Sequence, residues 1–233
     1  MNIVVIIPAF NEQDAISKVI SEIPEDLVNE IIVVDNNSTD NTAFAASQAG
    51  ATVLSESVKG YGASCLKGLD YLKNKDIHPD IVVFLDGDYS DYPGEMKRLI
   101  YPIINEGFDF VVGSRVSGNC EPGALPPQSR IGSVIAGFLI NLFWKFKYTD
   151  LGPFRAIKYN KLLSLNMEDK WYGWTVEMQI RAVKNNLRIK EVPVSYRKRI
   201  GKSKVTGTFK GSIMAGIIIL KTIFKELIVG RKV

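Results

Sequence analysis

The sequence predicts an α/β domain in which a mostly parallel sheet is flanked by helices on both faces. Three observations carry this. Up to about residue 115, short β-rich runs alternate with helix-like runs. The β-rich runs are apolar throughout, as expected of strands buried on both faces. Each is followed by polar or small residues, at the strand ends where such sheets bind ligands.

The predicted strands are "IVVII" (3–7), "EIIVVD" (30–35), "ATVL" (51–54), "DIVVFLD" (80–86) and "DFVVGS" (109–114). Between them lie the helix-like runs "NEQDAISKVISEI", "NTAFAASQAG", "GYGASCLKGLDYLKN" and "PGEMKRLIYPIINEG". Asn11 is expected to cap the first, with Asp14 at the third position of a capping box. Pro93 suits the first turn of the last, and Gly107 its stop. Beyond the Gly/Pro-rich "VSGNCEPGALPPQ" the alternation weakens. A long helix, a strand-like "DLGPFRAI" (150–157), another helix and "RIKEVPVSY" follow. No repeat or low-complexity linker divides the chain. We expect one domain over 1–205 and a C-terminal amphipathic helix over 206–233.

The 233 residues, 46% hydrophobic and 23% charged, suit a globular chain with a sizeable core. The net charge of +4 is modest, and no nucleic-acid partner is expected. Its basic excess is concentrated in "RKRIGKSK" (197–204), with five cations and no acid. Cys65 and Cys120 form neither a disulfide framework nor a metal pair by spacing, which fits a reducing compartment. "MNIVVIIPAF" reads as a first strand rather than a signal peptide. No apolar run reaches the ~18–20 residues of a membrane span.

The most pointed chemistry lies in "VVFLDGDYSDYP" (82–93), where a buried strand ends in Asp86, Asp88 and Asp91. At i and i+2 of extended chain, Asp86 and Asp88 point the same way, roughly 6.5 Å apart along the strand. That suits a ribose hydroxyl and a hard divalent cation. The alternative is a solvated acidic turn. Asp91 reads as a helix-start residue. The pattern also resembles the haloacid-dehalogenase nucleophile motif, which belongs on a first strand rather than the fourth. "KGYGAS" is no dinucleotide fingerprint, since Cys65 stands where a third glycine is needed. It reads as a glycine-started helix whose N–H groups, with Lys59, could face an anion.

"VVIIPAFNE", "IIVVDNNSTDNT", "KGYGAS", "FLDGDYSDYP", "VVGSR" and "EVPVSYRKRIGKSK" occur in this order over residues 3 to about 204. Together they resemble family-two glycosyltransferases of the GT-A fold, and most of all the dolichyl- or polyprenyl-phosphate sugar synthases. The resemblance implies a nucleotide-sugar site of Pro8, Ala9, Asn11, Glu12, Asp35, Lys59, Asp86, Gly87 and Asp88. It implies Mg2+ or Mn2+ on Asp86 and Asp88. Ser90 departs from relatives that carry Gln as a further metal contact, and Pro153 stands at a usual glycine. The implied catalytic set is Asp88, Arg115 and Glu177, although Glu177 reads equally as a surface helix carboxylate.

Transfer to a hydroxyl needs a general base, whereas a lipid phosphate is already a nucleophile at neutral pH. The only histidine, His78, lies at the wrong end of the sheet. Arg115, Arg130, Arg197, Arg199, Ser203 and Lys204 are the expected phosphate or acceptor ligands. The apolar runs "VIAGFLINLFWKF" (134–146) and "IMAGIIILKTIFKELIV" (213–229) suit either a membrane surface or a core and oligomer interface. The expected reaction is inverting transfer of a hexose from a UDP- or GDP-sugar to polyprenyl phosphate at the cytoplasmic membrane face. The alternatives are transfer to a glycan or glycolipid hydroxyl, a phosphatase using Asp86, and an inactive nucleotide-sugar binder.

Overall fold

A computed structural model describes residues 1–201 and 209–229. Seven strands form one sheet: β1 (Ile3–Ala9), β2 (Glu30–Asp35), β3 (Thr52–Ser55), β4 (Ile81–Phe84), β5 (Phe110–Ser114), β6 (Arg155–Lys158) and β7 (Ile189–Pro193). Their spatial order is β3-β2-β1-β4-β6-β5-β7. All neighbours are parallel except β6, which runs antiparallel between β4 and β5. The five predicted strands are present within two residues at each end. The strand-like 150–157 run contributes only its last residues to β6, because Pro153 has no N–H for a ladder.

Among the described residues eight α-helices cover the sheet: α1 (Ile16–Ser21), α2 (Thr42–Gln48), α3 (Tyr61–Lys73), α4 (Met96–Asn105), α5 (Pro127–Trp144), α6 (Tyr159–Ser164), α7 (Trp174–Lys184) and α8 (Phe209–Val229). Strands apolar on both faces require two cores, and two are present. One packs α1 and α4 against Val5, Ile7, Val83 and Val111. The other packs α3, α5, α7 and α8 against Val4, Ile6, Val82 and Phe84. Burial on this scale stabilises each large side chain by roughly 1.5–3 kcal/mol.

The predicted start of α1 needs correction. Asn11 adopts φ +53° and the helix begins only at Ile16. Its side chain instead accepts the Thr39 N–H at 2.8 Å, while its own N–H donates to Ser38 Oγ at 2.9 Å. The polar side chain therefore ties the β1 loop to the β2 loop, a long-range alternative to capping. Pro93 does open a short 3-10 turn before α4, and Gly107 ends that helix region at φ +74°.

The C-terminal helix packs on α5 and α7. Ile223 is fully buried there, and Glu226 lies 2.8 Å from Arg181 Nε and 2.7 Å from Lys184 Nζ. The outward faces of α5 and α8 are apolar: Val134, Phe138 and Leu142 on one, Ile217, Phe224 and Ile228 on the other. Among the described residues no helix is long and apolar enough to cross a membrane.

Candidate active site

The carboxyl ends of β1, β2 and β4 open into a cleft of about 300 Å³. Its walls include Pro8 and Ala9 at the end of β1, Phe10 and Glu12 after it, Asn36 after β2, and Lys59–Tyr61 and Ser64 before and within α3. Asp86, Gly87 and Asp88 form the β4 side, and Trp171, Tyr172 and Arg199 complete the lining. Seven of the nine residues expected to meet a nucleotide sugar thus share one cavity: Pro8, Ala9, Glu12, Lys59, Asp86, Gly87 and Asp88. Asn11 and Asp35 stand immediately beside it in sequence. Asp35 is 9% exposed, and its Oδ1 is buried without a hydrogen-bond partner. Such an acceptor is suited to a donor edge brought by a ligand.

The two central carboxylates differ. Asp88 is held rigidly: Oδ1 accepts the Ser90 N–H at 2.9 Å and the Ser90 hydroxyl, while Oδ2 lies 3.0 Å from Arg199. Ser90 is therefore a support of Asp88 rather than a substitute for a missing metal ligand. Asp86 opens only to the cleft. Burial, reinforced by the Asp88 charge, raises its pKa to about 7. Arg199 also reaches Glu12, 187 residues away in the chain, at 2.8 Å, and so bridges two carboxylates. The hard oxygen donors of Asp86 and Asp88 fit Mg2+ or Mn2+ completed by water or phosphate oxygens. Among the described residues no group of three or more His, Cys, Asp or Glu side chains is placed to hold a metal ion.

Asp91 corrects its expectation. It makes no side-chain cap, and the backbone pairs with Tyr196 in an isolated antiparallel bridge. Its carboxyl is 2% exposed, neither oxygen has a hydrogen-bond partner, and burial followed by Asp86 repulsion holds its pKa well above the usual range.

Arg115 does not line the cleft. Its Nε and Nη2 form a bidentate pair with Asp150 at 2.7 and 2.8 Å, and the guanidinium stacks 5.0 Å from the Tyr196 ring centroid. Arg197 is likewise committed, to both Glu22 oxygens and the Tyr89 carbonyl, between the Tyr89 and Tyr92 rings. It fastens the 196–200 segment across the acidic loop rather than offering a phosphate contact. Arg130 is exposed on the first turn of α5, outside the cleft lining. Ser203 and Lys204 lie outside the described residues. His78 donates from Nδ1 to the Leu72 carbonyl at 3.1 Å and packs against the Tyr159 ring, away from the cleft.

Glu177 is neither a surface carboxylate nor part of the lining. It is 1% exposed; Oε2 accepts the N–H groups of Glu168 and Asp169 at 3.2 and 2.9 Å, and Oε1 lies 3.0 Å from Arg181. The expected anion site at the start of α3 is also replaced. Gly62 and Ala63 donate to the carbonyls of Trp171 and Lys170. A Cβ at Gly60 or Gly62 would strike the Lys170 or Asp169 carbonyl, which accounts for both glycines. The lining residues missed from sequence are Phe10, Asn36, Gly60, Tyr61 and Ser64 beside the expected ones, and Trp171 and Tyr172 far from them in the chain. For the last two the signal was the aromatic "KWYGW" break between two helical runs.

Residues 4–163 match the family model described as glycosyl transferase family 2. An uncharacterized glycosyltransferase of Mycobacterium tuberculosis is 33% identical over 216 residues, covering 91% of this chain and 94% of its own. A UDP-N-acetylglucosamine–dolichyl-phosphate N-acetylglucosaminyltransferase of Methanococcus voltae is 30% identical, over 82% of this chain and 84% of its own. A dolichyl-phosphate hexose transferase of Haloferax volcanii is 28% identical, over 97% and 95%. Among solved structures, glucosyl-3-phosphoglycerate synthase of Mycobacterium tuberculosis, in complex with Mn2+, UDP and glucosyl-3-phosphoglycerate, superposes with a TM-score of 0.75. It is 24% identical, covering 97% of this chain and 80% of its own. The likeness shows a shared GT-A fold.

Proposed function

The chain belongs to glycosyltransferase family 2, and from that membership we propose that it transfers a hexose, with inversion, from a nucleoside diphosphate sugar to polyprenyl phosphate. Membership also displaces the phosphatase reading of Asp86. The observation that carries the acceptor is the placement of Glu177. It is 1% exposed, lies outside the cleft lining and holds two backbone N–H groups and Arg181, so it is not placed to take a proton from a hydroxyl in the cleft. A phosphate monoester needs none, because its second pKa is roughly 6. The dolichyl-phosphate transferases among the relatives support the same choice.

In this reading Pro8, Ala9 and Phe10 lie along the nucleoside, and Asp35 Oδ1 accepts from the base. Lys59 and Arg199 meet the diphosphate. Asp86 and Asp88 would hold Mg2+ or Mn2+, which when bound supplies Lewis-acid stabilisation of the leaving diphosphate. Asp88 is oriented for this by Ser90, and its Arg199 partner is near enough to follow the phosphates. Arg115, fixed by Asp150, lends positive potential without direct contact to the lining. The joint apolar face of α5 and α8 would rest on the membrane surface that presents the lipid.

The raised pKa of Asp86 makes divalent-ion affinity pH-dependent. In the folded state Asp86 keeps its proton to about pH 7, whereas the ordinary value is 3.8. The native state therefore binds more protons over that window, and the metal-free protein loses stability as pH rises through it. An ion requires the carboxylate, so binding below about pH 7 displaces one proton. Mn2+ affinity should rise about tenfold per pH unit up to neutrality and then level off. Titration followed by electron paramagnetic resonance measures it, and affinity flat from about pH 5.5 to about pH 8.5 would remove Asp86 from the ion site. The function itself is tested by offering radiolabelled nucleotide sugars with polyprenyl phosphate and following label into the lipid phase.

A further inference from the structure

Trp171 and Tyr172 reach the cleft from a loop, residues 168–173, that belongs to no strand end. Trp171 is 50% exposed, yet the backbone beneath it is fixed from several sides. The α3 start donates to the Lys170 and Trp171 carbonyls at 2.9 and 3.1 Å. Asp169 Oδ1 accepts the N–H groups of Trp171 and Gly173 at 2.7 and 3.1 Å. Glu177 on α7 holds the N–H groups of Glu168 and Asp169. An exposed aromatic on an over-determined backbone is an arrangement for contact without reorganisation.

The chain of contacts continues to α8. Glu177 Oε1 lies 3.0 Å from Arg181, whose Nε lies 2.8 Å from Glu226 Oε1. Glu226 and Glu177 are each 1% exposed, so this is a desolvated acid–base–acid relay. Thr222 of α8 adds a second link. Its Oγ1 is 3.4 Å from Asp169 Oδ2, its proton shared with the Ile218 carbonyl at 2.9 Å. Arg181 also pairs with the exposed Glu168 at 3.0 Å, so removing Glu226 shifts its guanidinium toward Glu168 and Glu177, and the loop's anchor Glu177 must readjust.

We propose that α8 is a positioning element of the ligand cleft: through Glu226, Arg181 and Glu177 it sets the loop that presents Trp171 and Tyr172 to the donor. The C-terminal helix is then a working part of the site and not only a cover or a surface contact. The presentation to a donor rests on the glycosyltransferase reading; the coupling of α8 to the loop does not.

Two measurements separate those halves. In ligand-free protein, Glu226→Gln should speed hydrogen exchange at the Trp171 and Gly173 amides about tenfold while β1 and β4 amides keep their wild-type rates. Thr222→Val, a gentler change, should act at the same amides more weakly. Lys225→Ala, which breaks only an exposed pair with Glu168, should change nothing. In a binding titration with UDP-glucose and Mn2+, Glu226→Gln and Trp171→Ala should each weaken affinity several-fold. Their effects should not add, because one acts through the other. Exchange that rises uniformly across the sheet, or stays at wild-type rates in the loop, overturns the coupling. Additive losses, or donor affinity unchanged in Glu226→Gln despite a loosened loop, overturn the positioning role. A wild-type protein that binds no nucleotide sugar fails the glycosyltransferase reading and leaves the exchange result to decide the coupling.

Discussion

Asp88→Asn is expected to lower kcat by about 10^3-fold, in the range lost when a preorganised charge-stabilising group is removed. Asp88 meets Ser90 through one oxygen and Arg199 through the other. An amide can keep one of these contacts but not both, since its NH2 group would face a donor. It also removes half the negative charge available to a divalent ion. The fold should survive, because Arg199 keeps Glu12 as a partner. Steady-state assay at saturating Mn2+, with circular dichroism as the folding control, measures this. Full activity in the variant would remove Asp88 from the ion site.

Asp150→Ala should produce the largest loss of stability. Asp150 is 1% exposed and accepts from Arg115 Nε, Nη2 and N–H, from Ser133 Oγ and from the Leu151 N–H. Burial pushes its pKa up, but the Arg115 charge and these hydrogen bonds prevail and hold it below the usual value. Its contribution is therefore present above the ordinary pKa of 3.8 and lost as pH falls through the lower folded value. Truncation leaves Arg115 buried and uncompensated, a cost of about 3–5 kcal/mol. For a chain of this size that lowers Tm by roughly 6–20 °C. A thermal melt shifted by less than a degree would show that the pair is replaceable by solvent.

The sheet and the position of the cleft were legible because they depend on local pattern. Apolar runs fix the strands, and in a parallel sheet every polar strand end faces the same side. Asp86, Asp88, Glu12 and Lys59 therefore met as expected, although they are spread over the first 88 residues. What sequence could not supply was the partner of each charge. Arg197 and Glu22 are 175 residues apart, and nothing in "RKRIGKSK" distinguishes the arginine that fastens the segment from Arg199, which enters the cleft. Glu177 looked accessible because helix periodicity does not reveal the loop that folds over it. Asn11 and Asp91 had residue types that favour caps, and in both cases a long-range contact or bridge displaced the local one. The antiparallel insertion of β6 between β4 and β5 is a topological fact that no single strand carries.

The central claim is hexose transfer to a lipid monophosphate without a protein base. The direct measurement offers one radiolabelled nucleotide sugar with Mn2+ to two acceptors in parallel, polyprenyl phosphate and a glycolipid bearing a free hydroxyl, using wild type and Glu177→Gln in which Arg181 keeps Glu226. Labelled lipid phosphate only is expected from both proteins, with Glu177→Gln weakening donor affinity through the loosened 168–173 loop while kcat at saturating donor stays near wild type. Label on the glycolipid, abolished by Glu177→Gln, would contradict it.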